Sequence, residues 1–184
     1  EEKSVENEYT LETWITTYWY NCNPMTNPGR AIIPKSVIEK AGIWNEELTL
    51  NDDLDFFTRI FLNVDKILIN KNSYLYYRSG VNGLSGVKSK KAYQSLFSSL
   101  LLSTKMVSSL SAKSFKVKQS CANMWQSFIY EVYPNHKSLL DNAQKEIKNL
   151  CKPSIKYNSG KITKSLVTFF GWKLVKKLKL KLQR

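Results

Sequence analysis

The sequence predicts an α/β chain, of the α+β kind over this stretch, in which short strands and one acid-rich helix precede a region that is helical throughout. Three observations predict it. Short β-branched and aromatic runs, bounded by Asn, Pro and Gly, fill residues 9–78. Asn51 opens an amphipathic run at Asp52, and from Lys90 onward apolar residues recur at helical spacing. The change of pattern near residue 88 divides the chain into 1–88, a helical 89–160 and a basic amphipathic 161–184.

The elements follow in order. Trp14, Ile15, Tyr18, Trp19 and Tyr20 mark a buried element of ambiguous period, and two Asn-Pro pairs with Gly29 make the loop after it. Ala31-Ile32-Ile33 reads as a short buried strand stopped by Pro34. Ser36 is a candidate N-cap for a short helix through Lys40 that Gly42 ends. A helix over 52–63 follows, capped by Asn51. Lys66–Asn70 and Ser73–Arg78 read as a hairpin turning at Lys71-Asn72, and glycine-rich Ser79–Ser89 reads as a mobile loop. Helices are expected over roughly 90–111, 114–132 and 136–151, punctuated by Pro134 and Pro153.

Hydrophobic content of 42% and aromatic content of 12% belong to a folded chain and exclude a disordered one. The net charge of +13 asks for a polyanionic neighbour. Its distribution favours a surface over nucleic acid: acids crowd Glu1–Asp65, whereas Lys161–Arg184 holds eight Lys/Arg and no Asp or Glu. No Arg-rich aromatic interleaving of an RNA-binding sheet is visible. Cys22, Cys121 and Cys151 are too scattered for a disulfide framework or a zinc site, which fits a reducing, cytoplasmic location. No apolar run approaches the ~20 residues that span a bilayer.

Residues 51–62, Asn-Asp-Asp-Leu-Asp-Phe-Phe-Thr-Arg-Ile-Phe-Leu, carry the most chemistry. At about 100° per residue Phe56, Phe57, Ile60 and Phe61 form an apolar face with Asp53 near its centre, Asp52 at its margin and Asp55 on the polar side with Arg59. Acids in a first turn complement the helix dipole, and Asp55 is placed to pair with Arg59 four residues on. A carboxylate on the inward face must instead be paired, hydrated in a cleft or functional, so Asp53 is the candidate general base. Asp53-Leu54-Asp55 also has Asp-x-Asp form, but it opens a helix after a polar loop, the wrong setting for a metal-holding motif.

Gly29–Leu48, followed by Asn51–Arg59, resembles the family 2 glycosyltransferases of the GT-A fold, in which a strand and short helix lead through an acidic loop to an acidic pair opening a helix. The resemblance covers about residues 9–88 and implies that Asp53 is the catalytic base beside Asp52. Tyr76-Tyr77-Arg78-Ser79 and Gly83-Leu84-Ser85 look like the family's strand and mobile loop after the catalytic pair. The implied activity is inverting transfer of a sugar from a nucleotide sugar to a cell-surface glycan or lipid-linked acceptor. It also implies a divalent metal (Mn or Mg) held by residues outside this chain, and a complementary N-terminal nucleotide-binding half without which the chain is inactive. Arg78 or Lys88, beside the mobile loop, is expected to help neutralise the diphosphate. Trp44 is a candidate to stack on a sugar ring or, equally, a plain core tryptophan. Asp55 is a further candidate at the substrate side.

Lone His136 has no partner at nucleophile-base spacing and reads as a surface residue. Ile162–Leu182 places Val167, Phe170, Leu174, Val175, Leu178 and Leu182 on one helical face and Lys161, Lys173, Lys176 and Lys179 on the other. That is the pattern of a helix lying peripherally in an anionic membrane interface, here the inner face. The alternatives are a helix docked on the protein with its basic face solvated and, for the chain as a whole, a non-catalytic membrane-associated binding module.

Overall fold

The chain folds mostly as α-helix, with a single two-stranded antiparallel sheet among the residues described. The computed structural model describes residues 8–24, 27–70, 72–76 and 88–182. Strand β1 (Glu8–Tyr9) leads into helix α1 (Leu11–Trp14), which runs on as a π-helical turn over Ile15–Trp19. Helices α2 (Lys35–Ala41) and α3 (Asp52–Leu62) precede β2 (Ile67–Leu68), which returns to pair with β1, Tyr9 opposite Ile67. Then come α4 (Lys90–Met106), α5 (Ser108–Lys113), α6 (Phe115–Val132), α7 (Lys137–Asn149), α8 (Lys161–Phe170) and α9 (Trp172–Leu182).

Local chemistry sets several helix ends. Thr10 and Thr13 form a reciprocal capping box at α1, each hydroxyl accepting from the other's backbone N–H at 3.2 and 2.8 Å. Ser89 accepts from the Ala92 N–H at the start of α4. Gly42 and Gly171, with φ of +83° and +75°, end α2 and α8 in the left-handed region that costs glycine least.

Helix α6 is the axis of the core. Its Val117, Cys121, Trp125, Phe128 and Val132 are buried against Ile15 and Trp19 of the π-turn, Leu54 of α3, Leu100 of α4 and Leu140 of α7. Each such aliphatic or phenyl side chain contributes about 1.5–3 kcal/mol on burial. A second cluster joins Phe56, Phe57 and Ile60 of α3 to Val37, Ile38 and Trp44. Helix α3 therefore lies between two apolar clusters and is covered on two sides.

The largest of the fully buried polar side chains among the described residues is an amide. Asn123 of α6 donates from Nδ2 to the Tyr20 carbonyl at 2.8 Å and to Ser154 Oγ at 3.0 Å, and its Oδ1 accepts from the Ser154 N–H at 2.8 Å. A buried amide must meet its hydrogen-bonding capacity or destabilise the fold, so these contacts fix the π-turn and the 150–160 segment to α6 together.

The structure departs from the sequence reading at definite places. Ala31-Ile32-Ile33 forms no strand, and Ile32 is fully exposed, because no neighbouring strand among the described residues lies beside it to accept its hydrogen bonds. Ser73–Tyr76 forms no hairpin with Lys66–Asn70, since the partner of Ile67–Leu68 is β1, far back in the chain. Helix α2 starts at Lys35 with Pro34 at its cap position, where Ser36 was expected to cap, because proline's fixed φ already suits a helix entry. The expected single helix over Ile162–Leu182 is two helices broken at Gly171. Arg78 and the stretch 77–87, with its glycines, lie outside the described residues.

Replacing Asn123 by Ala should destabilise the chain by about 1–3 kcal/mol, because the part-buried Tyr20 carbonyl and Ser154 N–H lose their partner. Ser154→Ala should cost less, since its backbone N–H keeps the bond to Asn123. Urea unfolding midpoints compare the two, and equal losses would contradict this account of the clamp.

Candidate functional site

The acidic turn at the mouth of α3 is built from behind by α4. Ser95 Oγ accepts from the N–H groups of Thr49 and Leu50 at 2.8 and 2.9 Å and donates to the Leu50 carbonyl at 2.9 Å. Ser99 donates to the carbonyl of Asn51, which sits in the left-handed region at φ 61° and opens the helix. Ser95, Ser99 and Ser103 recur every four residues and so line one face of α4. All three are buried, and their small side chains let α3 and α4 pack closely across the expected boundary at residue 88. The Ser103 hydroxyl is buried with no hydrogen-bond partner among the described residues, so size is what serine supplies there.

At that mouth Asp52 and Asp53 are half-buried, held on a backbone that two serines fix. Asp55 is the most buried of the three acids, 3% exposed, and not on a polar face as its helical phase suggested. The cause is the second cluster: α3 packs on α2 as well as α4, so the side facing α2 is also interior. Asp55 Oδ2 accepts from Arg59 Nε and Nη2 at 3.1 and 2.9 Å, while Arg59 Nη1 donates to the carbonyls of Ala41 and Gly42 at 2.7 and 3.0 Å. The pair thus caps the C-terminus of α2 and ties it to α3. Trp44 lies with its ring stacked on Phe56 at 4.1 Å and 14°, within the second cluster.

Lys88 belongs to a different place, a cavity of about 700 Å³ at the C-terminal end of α6. Its walls carry Lys88, Lys156, Lys176 and Lys179, four ammonium groups against the one carboxylate of Glu131. Asp52 and Asp53 do not line it. Lys88 lies 3.8 Å from Glu131, which also accepts from the Tyr93 hydroxyl at 3.5 Å. Lys176 is half-buried and donates to the carbonyls of Tyr130 and Glu131 in the last turn of α6, where a cation meets unpaired carbonyls and the negative end of the helix dipole. Burial holds the Lys176 ammonium below the usual lysine range, with Lys88 adding to the effect and Glu131 opposing it. His136, expected at the surface, is half-buried on this wall with φ of +53°, its ring 5.3 Å from that of Tyr93.

Helix α9 reaches this cavity in an unexpected orientation. It is anchored by buried Val175 and by Trp172, which meets the rings of Tyr130, Tyr133 and Tyr157 at 4.8–5.6 Å. Lys176, half-buried, and Lys179, exposed, line the cavity, while Leu174, Leu178 and Leu182 are 47%, 52% and 88% exposed. On α8, Leu166, Phe169 and Phe170 are likewise exposed. An amphipathic helix docked for its own burial would do the reverse. No helix among the described residues is long and apolar enough to cross a membrane.

Among the described residues no group of three or more His, Cys, Asp or Glu side chains could hold a metal ion. Two features escaped the sequence reading. The serine face of α4 has a legible four-residue spacing, but polar serines at helical period look like a solvated face. The cavity lysines are scattered from residue 88 to 179, and no spacing joins them. No family model, no curated protein and no solved structure matches the chain.

Ser95→Ala removes the acceptor for two backbone N–H groups and should cost about 1–2 kcal/mol, while Ser99→Val should cost about 1–3 kcal/mol by forcing α3 and α4 apart. Thermal melts of both variants test this, and wild-type stability in Ser99→Val would refute the close packing. Burial pushes the thiols of Cys22 and Cys121 up to about 11 and about 12, and burial with the Tyr9 contact pushes Tyr18 up to about 12. These groups stay protonated in the fold while the unfolded chain ionises them from about pH 9, so the stability they contribute is complete below that and is lost as pH rises toward 12. Lys176, whose pKa is lowered, acts in the opposite sense. The melting temperature should therefore fall between pH 8 and pH 10.5, and fall less in Cys121→Ala relative to that variant's own value at pH 8.

Proposed function

We propose that this chain is the acceptor-side, catalytic-base part of an inverting family 2 glycosyltransferase of the GT-A fold, working with a complementary nucleotide-binding half. The observation that carries the reading is the half-buried acidic pair Asp52-Asp53 at the mouth of α3, on a backbone braced by Ser95 and Ser99. A general base needs a fixed carboxylate within reach of the hydroxyl it deprotonates, and that brace supplies the fixing. Asp53 takes the proton of the acceptor hydroxyl as its oxygen attacks the anomeric carbon of the nucleotide sugar. The bond to the diphosphate breaks on the opposite side, and configuration inverts. The metal expected of the complete enzyme, Mn or Mg, would have its ligands on the other half.

Exposed Ile32, Tyr74 and Tyr76, on segments outside any sheet, supply an apolar surface on which that half can pair. Asp55 and Trp44 support the site in this reading: one holds α2 to α3 through Arg59, the other packs on Phe56. The acceptor is a cell-surface glycan or a lipid-linked one. Location is cytoplasmic and peripheral, at the inner face of an anionic membrane, because α8 and α9 combine outward apolar side chains with a dense set of lysines.

Co-expressed with a complementary half, Asp53→Asn should lower turnover by about 10²–10⁴. Asp55→Asn should instead lower stability, since its buried partner Arg59 keeps its charge. Turnover retained in Asp53→Asn would overturn the catalytic reading and leave a membrane-associated binding module.

A further inference from the structure

The basic cavity takes no part in the chemistry assigned to Asp53, yet it gathers charge against a cost. Like charges clustered in one wall repel, and Lys176 is partly desolvated as well, its pKa lowered by burial and by Lys88. Its contacts to the Tyr130 and Glu131 carbonyls explain Lys176. They do not explain why Lys88, Lys156 and Lys179 line the same space with, among the described residues, only Glu131 to offset them. The remaining wall is amphipathic, with the rings of Tyr93, Tyr130 and Tyr157. A space of about 700 Å³ lies within the range of small-molecule sites, and its excess of ammonium groups selects an anion bearing more than one negative oxygen.

The orientation of α9 narrows the class further. The helix that contributes Lys176 and Lys179 to the cavity contributes Leu180 to it too, 36% exposed, and exposes Leu174, Leu178 and Leu182 elsewhere on its surface. A cationic hollow with an apolar side chain in its wall, on a helix that exposes further leucines, matches the two ends of an amphiphile. The geometry points to a seat for the phosphate head of an anionic lipid, held by Lys88, Lys156 and Lys179, with the lipid's chains along the exposed leucines of α9. This deepens the membrane part of the proposed function and rests on it. The cavity then turns a diffuse basic surface into a stereospecific one, orienting the protein on the membrane by one filled site.

The test uses the full chain with four probes: monomeric dioctanoyl phosphatidic acid, sodium pyrophosphate, vesicles of phosphatidylcholine, and vesicles of phosphatidylcholine with phosphatidylglycerol. The monomeric lipid should bind, and the double variant Lys156→Gln/Lys179→Gln should weaken it about tenfold. Lys145→Gln/Lys148→Gln, which removes the same charge from exposed positions on α7, should change it by less than about twofold, as expected for charges screened at a distance. Equal weakening by the two double variants would reduce the effect to net charge and overturn the seat. Undiminished binding of the cavity variant to the anionic vesicles, with no binding of monomeric lipid, would also overturn it while leaving the membrane reading in place. Pyrophosphate bound as tightly as the lipid would make the ligand a soluble phosphate and refute the lipid assignment. Binding to none of the four would remove seat and membrane reading together.

Discussion

The whole arrangement hangs on the requirement that one buried amide be satisfied. Asn123 sits in the middle of α6 with no access to solvent, so its donors and acceptor must find partners inside the protein. They find the end of the π-turn at Tyr20 and the backbone and hydroxyl of Ser154, 103 and 31 residues away in sequence. Cys22 adds a thiol contact to the Asn123 carbonyl at 3.3 Å. Apolar packing alone would leave the register of these segments loose, because burial is nearly indifferent to sliding. The amide is not indifferent, and it sets where the segment after Ser154 begins. One residue on, the Ile155 carbonyl accepts from the Tyr130 hydroxyl, and residues 155–158 become a wall of the basic cavity.

The same logic, with smaller groups, governs the acidic turn. The helix mouth carries two adjacent carboxylates, and the Asn51 side chain before it makes no capping hydrogen bond. It is held from α4, where serine combines a hydroxyl able to serve three backbone groups with a volume small enough for close helix approach. On the opposite flank the Asp55–Arg59 pair converts a buried charge into a bracket by sending the guanidinium on to the α2 carbonyls. A buried acid is tolerable there because its partner is bidentate and that partner's other donors are used. Asp52 and Asp53 sit half-buried on that braced turn, and the helical region after residue 90 is part of what positions them.

Helix α9 shows the opposite balance. Lys176 and Lys179 line the cavity while Leu174, Leu178 and Leu182 are exposed, so apolar burial on this helix rests on Val175 and Trp172. Part of the anchoring is visible: carbonyls at the end of α6 take the Lys176 ammonium, and Trp172 fills an aromatic nest of three tyrosines. The rest of the apolar surface lies open on α8 and α9, where a lipid interface would cover it. In the proposed reading, membrane contact and anion binding fall to the same helix.

The sequence by itself determined the carboxylate helix, its start at Asp52, the glycine that ends α2, the helical half from Lys90, and the amphipathic basic tail. Each of these is written in neighbours at most a few residues apart, within reach of capping, periodicity and turn chemistry. Tertiary structure alone decided that Ala31–Ile33 is no strand, that Ile67–Leu68 pairs with Glu8–Tyr9, that Asp55 is the buried acid, and that lysines from 88 to 179 meet in one hollow. Those outcomes depend on which distant surface is present to hydrogen-bond with, to bury or to repel. A helical wheel assigns one inner face, whereas α3 has two because two clusters happen to meet on it.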